Sequence, residues 1–123
     1  MNFKVFDSEY RFCLILWEYE PVTSGELVKL CEESLNWKRS TTFTVIRRLS
    51  ERGIIKSENA VVTSLVSMDQ VRMADAEEVL ENKFDGSLPL FINTFFNNQK
   101  LSEKDVDDIL SMIKKYKENH NLD

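Results

Sequence analysis

Apolar positions along this chain recur mostly every three or four residues, and that spacing gives way near the middle to clustered β-branched residues with a polar break. The first pattern predicts helices and the second a short pair of strands. Tyr10, Cys13, Leu14 and Trp17 share one face of a first helix. Asp7 or Ser8 can cap it, and it runs to about Tyr19, ahead of Pro21. Thr23 and Glu26 form a capping box for a second helix, whose Leu27, Leu30 and Cys31 point inward. Asn36 and Trp37 make the turn into a third.

The third helix lies in WKRSTTFTVIRRLSERG, residues 37–53, and has two incompatible faces. At roughly 100° per residue, Thr42, Val45, Ile46 and Leu49 fall on one side. Ser40, Phe43, Thr44 and Arg47 fall on the other. Lys38 and Arg39 lead in, Arg48 and Arg52 flank, and Gly53 ends the helix. The back can pack on a core. The front offers cations to phosphates and short donors to base edges, which suits a helix in the major groove of DNA. The candidate DNA-binding residues are therefore Lys38, Arg39, Ser40, Thr41, Phe43, Thr44, Arg47, Arg48, Arg52 and Lys56.

Gly53 is followed by IIKSENAVVTSLV, rich in β-branched residues, with a polar break at Ser57 to Asn59. It reads as two short antiparallel strands. Three helices and a hairpin make a winged helix-turn-helix. The expected fold is thus mostly α with a small β-hairpin, in a winged-helix domain over 1–66 and a helical dimerisation domain over 67–123.

The second half begins with a helix from Ser67 to about Phe84, sparse in apolar residues. Asp85-Gly86-Ser87 is a break. LPLFINTFF then concentrates apolar side chains, and Ser102 with Asp105 marks the N-terminus of a last helix, with Leu101 and Val106 as its hydrophobic staple. These segments lack enough partners to close a core, so two copies are expected to bury each other's stripes. The predicted dimer interface comprises Leu80, Phe84, Leu88, Phe91, Ile92, Phe95, Phe96, Val106, Ile109, Leu110 and Ile113.

Composition narrows the function classes. The chain has 123 residues, 42% of them hydrophobic and 30% charged, which fits a small globular protein and not a disordered one. No apolar run approaches the roughly 20 residues of a membrane span. The N-terminal residues lack an apolar signal region, so a cytoplasmic location without membrane insertion is expected. Cys13 and Cys31 sit in apolar helical patterns and read as buried thiols. One histidine, His120, and no paired-cysteine motif leave no basis for a metal site or a cofactor. Three glycines form no phosphate loop, and no nucleophile–base set can be drawn, so an enzyme is not expected. Asp107 and Asp108 are adjacent and diverge on a helix, as a solvated surface pair does.

The net charge of −5 argues against nucleic acid until it is located. Residues 1–66 hold nine cations and nine anions, and residues 67–123 hold seven and twelve. Between Lys38 and Lys56 stand six cations and one anion, Glu51. That local excess is a DNA-sized electrostatic footprint.

A set of ordered motifs adds a family resemblance over nearly the whole length. They are Asp7-Ser8-Glu9 with Leu16-Trp17-Glu18, Pro21-Val22-Thr23 with Glu26-Leu27, then Trp37, Ser40-Thr41, Thr44 and Arg48-Leu49. Glu51-Arg52-Gly53 and Leu65-Val66-Ser67 follow, then Phe84, Gly86-Ser87 and Leu101-Ser102. In these the chain resembles the penicillinase-repressor family of bacterial winged-helix transcriptional regulators. The resemblance implies a homodimeric repressor on double-stranded DNA at a pseudo-palindromic operator. In antibiotic-responsive members a membrane sensor leads to proteolysis in the C-terminal part, so a sensor or protease partner is implied as well. Copper-responsive members carry a C-terminal cysteine cluster, which this chain lacks.

Three further departures stand out. Position 43, often basic or Gln in such repressors, is Phe43, on the outward face, where it can meet a thymine methyl or another protein. The wing carries Ser57-Glu58-Asn59 in place of a basic, aromatic pattern, which predicts a weak wing contribution and keeps a protein-binding module that does not bind DNA as the alternative. The family's Asn-Phe cleavage bond aligns with Thr94-Phe95, with Asn93 one residue earlier, and Phe95 and Phe96 read there as dimer-core aromatics.

Overall fold

The computed structural model describes residues 3–122. Among the described residues, six helices and three short strands follow in the order α1 (Asp7–Tyr19), β1 (Val22–Thr23), α2 (Ser24–Leu35), α3 (Arg39–Glu51), β2 (Ile55–Glu58), β3 (Val61–Ser64), α4 (Met68–Lys83), α5 (Leu88–Asn98) and α6 (Glu103–Asn119). The architecture is a winged helix-turn-helix followed by a helical C-terminal part. The chain separates into two compact units, Met1–Val79 and Leu80–Asp123.

The first unit has a continuous core. Phe12, Cys13 and Leu16 of α1, Leu27 and Cys31 of α2, and Leu49 of α3 are almost wholly buried. Ile54, Ile55 and Val62 close the core from the wing, and Val71 ties the start of α4 into it. The expected inward face of α1 is rotated: Leu14 is exposed, while Phe12, Ile15 and Leu16 turn inward. Leu14 follows Cys13 by one residue, about 100° around the helix, so a core centred on Phe12 and Leu16 leaves it in solvent. The cap of α1 also lies one residue earlier than Asp7. Phe6 is the N-cap, and its backbone N–H donates to Glu9 Oε1 at 2.9 Å.

Thr23 caps α2 as expected, its hydroxyl accepting from the Glu26 N–H at 3.2 Å. Asn36 ends that helix in the left-handed region at φ 57°, a conformation its short polar side chain tolerates. Gly53 ends α3 at φ 74°. The Ile54 N–H reaches back to the Leu49 carbonyl at 2.9 Å, the six-to-one bond that closes a helix when a residue without Cβ turns the chain.

The wing is larger than two strands. Order β1-β3-β2 makes a three-stranded antiparallel sheet, with Val22 opposite Val62 and Ile55 opposite Ser64. Ser57 and Glu58, expected in the break, belong to β2, and the turn is Asn59-Ala60, both at positive φ. Two successive positive-φ residues match the right-handed twist of a tight hairpin. Glu20 pins the sheet to α1, accepting from the Ser64 N–H at 2.8 Å and from its hydroxyl.

In the second unit, Ser87 caps α5 through Leu90 and Ser102 caps α6 through Asp105. Phe91 meets Phe84 and Phe95 edge to face, with centroids 5.0 and 5.2 Å apart. Neither α5 nor α6 has a buried residue.

Candidate nucleic-acid interface

Helix α3 divides as its sequence requires. Thr42, Val45, Ile46 and Leu49 are buried against α1, α2 and the wing. Lys38, Arg39, Ser40, Thr41, Phe43, Arg47 and Arg48 are exposed, and Thr44 is half-buried. The first turn contains no acidic residue. Cations at a helix N-terminus oppose the macrodipole and cost the helix a few tenths of a kcal/mol each, up to about 1. Lys38 and Arg39 at the start of α3 are therefore poorly explained as helix stabilisers.

The six cations expected at the interface fall into two groups. Among the described residues, Lys38, Arg39, Arg47 and Arg48 have no ion-pair partner. Arg52 belongs with them in sequence but not in engagement. Its Nη1 donates to both oxygens of Glu9 at 2.8 Å, and its Nη2 to the Lys4 carbonyl. Glu9 is only 5% exposed, so this charge-assisted pair, one nitrogen shared by both carboxylate oxygens, anchors the end of α3 to the start of α1. Lys56 pairs with Glu58 across the exposed face of β2, 2.9 Å apart. That contact raises the Lys56 pKa and lowers that of Glu58, through the hydrogen bond first and the opposite charge second.

The hydroxyls gather beside Arg48. Ser8, Trp37, Ser40, Thr41, Thr44, Val45 and Arg48 line an open cleft of about 300 Å³ between the start of α1 and the front of α3. Four hydroxyls and one guanidinium suit an oxyanion such as a phosphodiester. Ser8 had no local signal beyond its capping propensity. Its place in this cleft depends on how α1 crosses α3. On the neighbouring side of α3, the Arg39 guanidinium lies over the Phe43 ring, 5.0 Å from its centroid.

The two thiols are chemically quiet. Burial, and then the Glu9 charge, push the Cys13 thiol up to about 12, against a smaller lowering by Arg52. Burial also raises Cys31, with the Thr42 hydroxyl opposing. Among the described residues no group of three His, Cys, Asp or Glu is placed to hold a metal. No helix among them is long and apolar enough to cross a membrane.

In the second unit, Leu88, Phe95, Phe96, Val106, Leu110 and Ile113 are exposed, and Leu80, Phe84, Phe91, Ile92 and Ile109 are half-buried. An apolar groove of about 340 Å³ runs between α5 and α6, lined by Phe91, Ile92, Phe95, Phe96, Leu101, Ile109 and Met112, with Asp105 and Asp108 at its edge. The Thr94–Phe95 bond lies inside α5, where the Thr94 hydroxyl donates to the Leu90 carbonyl at 2.9 Å.

A family model described as penicillinase repressor matches residues 7–115 of the chain, from the first residue of α1 into α6. No curated protein matches the chain significantly.

Proposed function

This chain belongs to the penicillinase repressor family, and we propose that it represses transcription as a homodimer bound to a pseudo-palindromic operator. One observation carries the reading. Helix α3 buries one face and turns outward four cations that no acidic side chain neutralises among the described residues. In this reading Lys38, Arg47 and Arg48 contact phosphates or guanines, and Ser40, Thr41 and Thr44 supply phosphate or base-edge bonds. Ser8 joins them in the hydroxyl cleft. Arg52 supports the interface from behind, by fixing the end of α3 on α1.

The exposed apolar residues of the second unit support self-association. No residue of α5 or α6 is buried, and an interface of ordinary size favours association at about 25 cal/mol per Å² of apolar surface covered. A symmetric pair presents two copies of α3, which requires half-sites about one helical turn of DNA apart, or a multiple of that.

Titration of the full-length chain against the DNA upstream of its own gene tests this. Replacing Arg47 and Arg48 with Ala is expected to weaken binding and to reduce the slope of log K against log salt by about 2, near 0.9 for each lost phosphate contact. An unchanged slope removes both residues from the interface. Absence of binding at low salt by a folded dimer favours the alternative, a winged-helix module that binds protein; the paired, acidic wing and the exposed Phe43 are the features that suit that alternative.

A further inference from the structure

Phe43 is the one large apolar side chain on the outward face of α3, and it is 38% exposed. Core packing does not account for it, because the buried face is complete with Thr42, Val45, Ile46 and Leu49. Its ring is not idle. Arg39, one helical turn earlier, lays its guanidinium over that ring at 5.0 Å, and among the described residues no carboxylate pairs with Arg39. A ring face attracts a cation without consuming its N–H donors. The pair therefore sets a guanidinium, its hydrogen-bonding capacity unspent, against the ring at the N-terminal end of α3. That end is where a groove-inserted helix meets base edges.

We propose that Phe43 and Arg39 act as one sequence-reading unit. The exposed edge of the Phe43 ring packs on the 5-methyl group of a thymine. Arg39, seated on the ring, donates two hydrogen bonds to O6 and N7 of a neighbouring guanine. The proposal rests on the DNA-binding reading above and adds to it the chemical feature that is read. Thymine is the base that offers a methyl group in the major groove, and guanine the base that offers two adjacent acceptors there. The two contacts are coupled, because removing the ring also releases the guanidinium.

The test uses the full-length chain and the tightest duplex that it selects from a randomised library. Each thymine is replaced in turn by deoxyuridine, which deletes only the methyl group, and each guanine by 7-deazaguanine, which deletes N7. For the unaltered protein, one thymine in each half-site is expected to be sensitive, with about a fourfold loss of affinity per methyl, as one buried carbon implies. Phe43→Ala is expected to bind more weakly and to ignore that uracil. Arg39→Lys keeps the charge but not the forked donor, and is expected to lose the sensitivity to one adjacent 7-deazaguanine while keeping the salt slope. An unchanged unfolding midpoint for Phe43→Ala shows that the fold is intact. If the chain selects and binds a duplex, but unaltered protein and Phe43→Ala respond alike to every uracil, the reading unit is wrong and the DNA-binding function stands. If the folded chain selects no duplex, the function itself fails and the reading unit with it.

Discussion

Helices α3 and α6 carry apolar stripes of similar regularity, yet the chain treats them in opposite ways. In α3, Val45, Ile46 and Leu49 lie at 7%, 5% and 0% exposure, packed against α1, α2 and the wing. In α6, Val106, Leu110 and Ile113 remain at 38%, 59% and 50%. A helical stripe states that a face needs covering. It does not state whether the cover lies in the same chain. The first unit closes its own core, and the second leaves the α6 stripe and the Phe91–Phe96 cluster uncovered. The polar faces differ as well. That of α3 is basic, and among the described residues its Arg39, Arg47 and Arg48 pair with no carboxylate, while α6 opens with Glu103 and Asp105, which complement the helix dipole in the usual way.

The difference predicts where substitutions will hurt, and by how much. Leu49→Ala, at a fully buried site, is expected to cost about 3–5 kcal/mol in denaturant unfolding. A loss below about 1 kcal/mol would mean that the core of the first unit is not the tight assembly described. Glu9→Gln leaves the Arg52 guanidinium without its carboxylate. Because Arg52 is partly open to solvent, the expected loss is about 1–3 kcal/mol, less than for a wholly buried pair. DNA affinity should fall with it only as far as α3 loses its anchor, so a Glu9→Gln protein that is fully stable would move Arg52 back among the free cations.

The third expectation concerns pH. The Cys13 thiol, pushed up to about 12, stays protonated in the folded chain while the unfolded thiol ionises near 9.0. Its stabilising contribution is complete below pH 9 and declines as pH rises toward 12. By pH 10 the loss is about 1.4 kcal/mol, one pH unit of differential ionisation. Cys13→Ala, which has nothing to ionise, should show a correspondingly shallower decline between pH 9 and 10. Equal slopes would place the thiol in a wetter site. The smallest effect is expected in the second unit. Leu110→Ala, at an exposed position, should change unfolding of the first unit by less than about 0.5 kcal/mol, while weakening any dimer seen by sedimentation. A stability loss matching that of Leu49→Ala would join the two regions into one cooperative unit.

Much of this was legible in the linear pattern. The order of the helices, the buried and outward faces of α3, the caps at Thr23 and Ser102, and the stop at Gly53 are local properties; Ser87, read only as part of a break, also caps α5. Each follows from residues within one or two turns of each other, so a sequence window contains the cause, as it does for the neighbours Lys56 and Glu58 on β2 and Arg39 and Phe43 on α3. The family resemblance, carried by motifs from Asp7 to Ser102, agrees with the match over residues 7–115. Local pattern was less informative where one element had to choose a neighbour. Residues Phe12 and Leu14 are equally apolar, and only the direction from which α2 and the wing approach decides that one is buried and the other exposed. The two-residue strand β1 has no periodicity of its own and exists because β3 lies beside it.

The charges make the same point at the site. Sequence determined how many cations accumulate between Lys38 and Lys56, and that α3 would turn most of them away from the core. Tertiary structure decided which are spent within the chain. Glu9 takes Arg52 across 43 residues, while Lys56 meets Glu58 two residues along the same strand. Ser8 reaches the hydroxyl cleft through tertiary geometry, as Arg52 reaches Glu9, whereas Arg39 meets Phe43 locally, four residues along the same helix. The physical reason is range: helix formation and capping are satisfied within a few residues, whereas pairing of buried charges and coverage of apolar faces depend on whatever surface the folded chain, or a second copy, brings into contact.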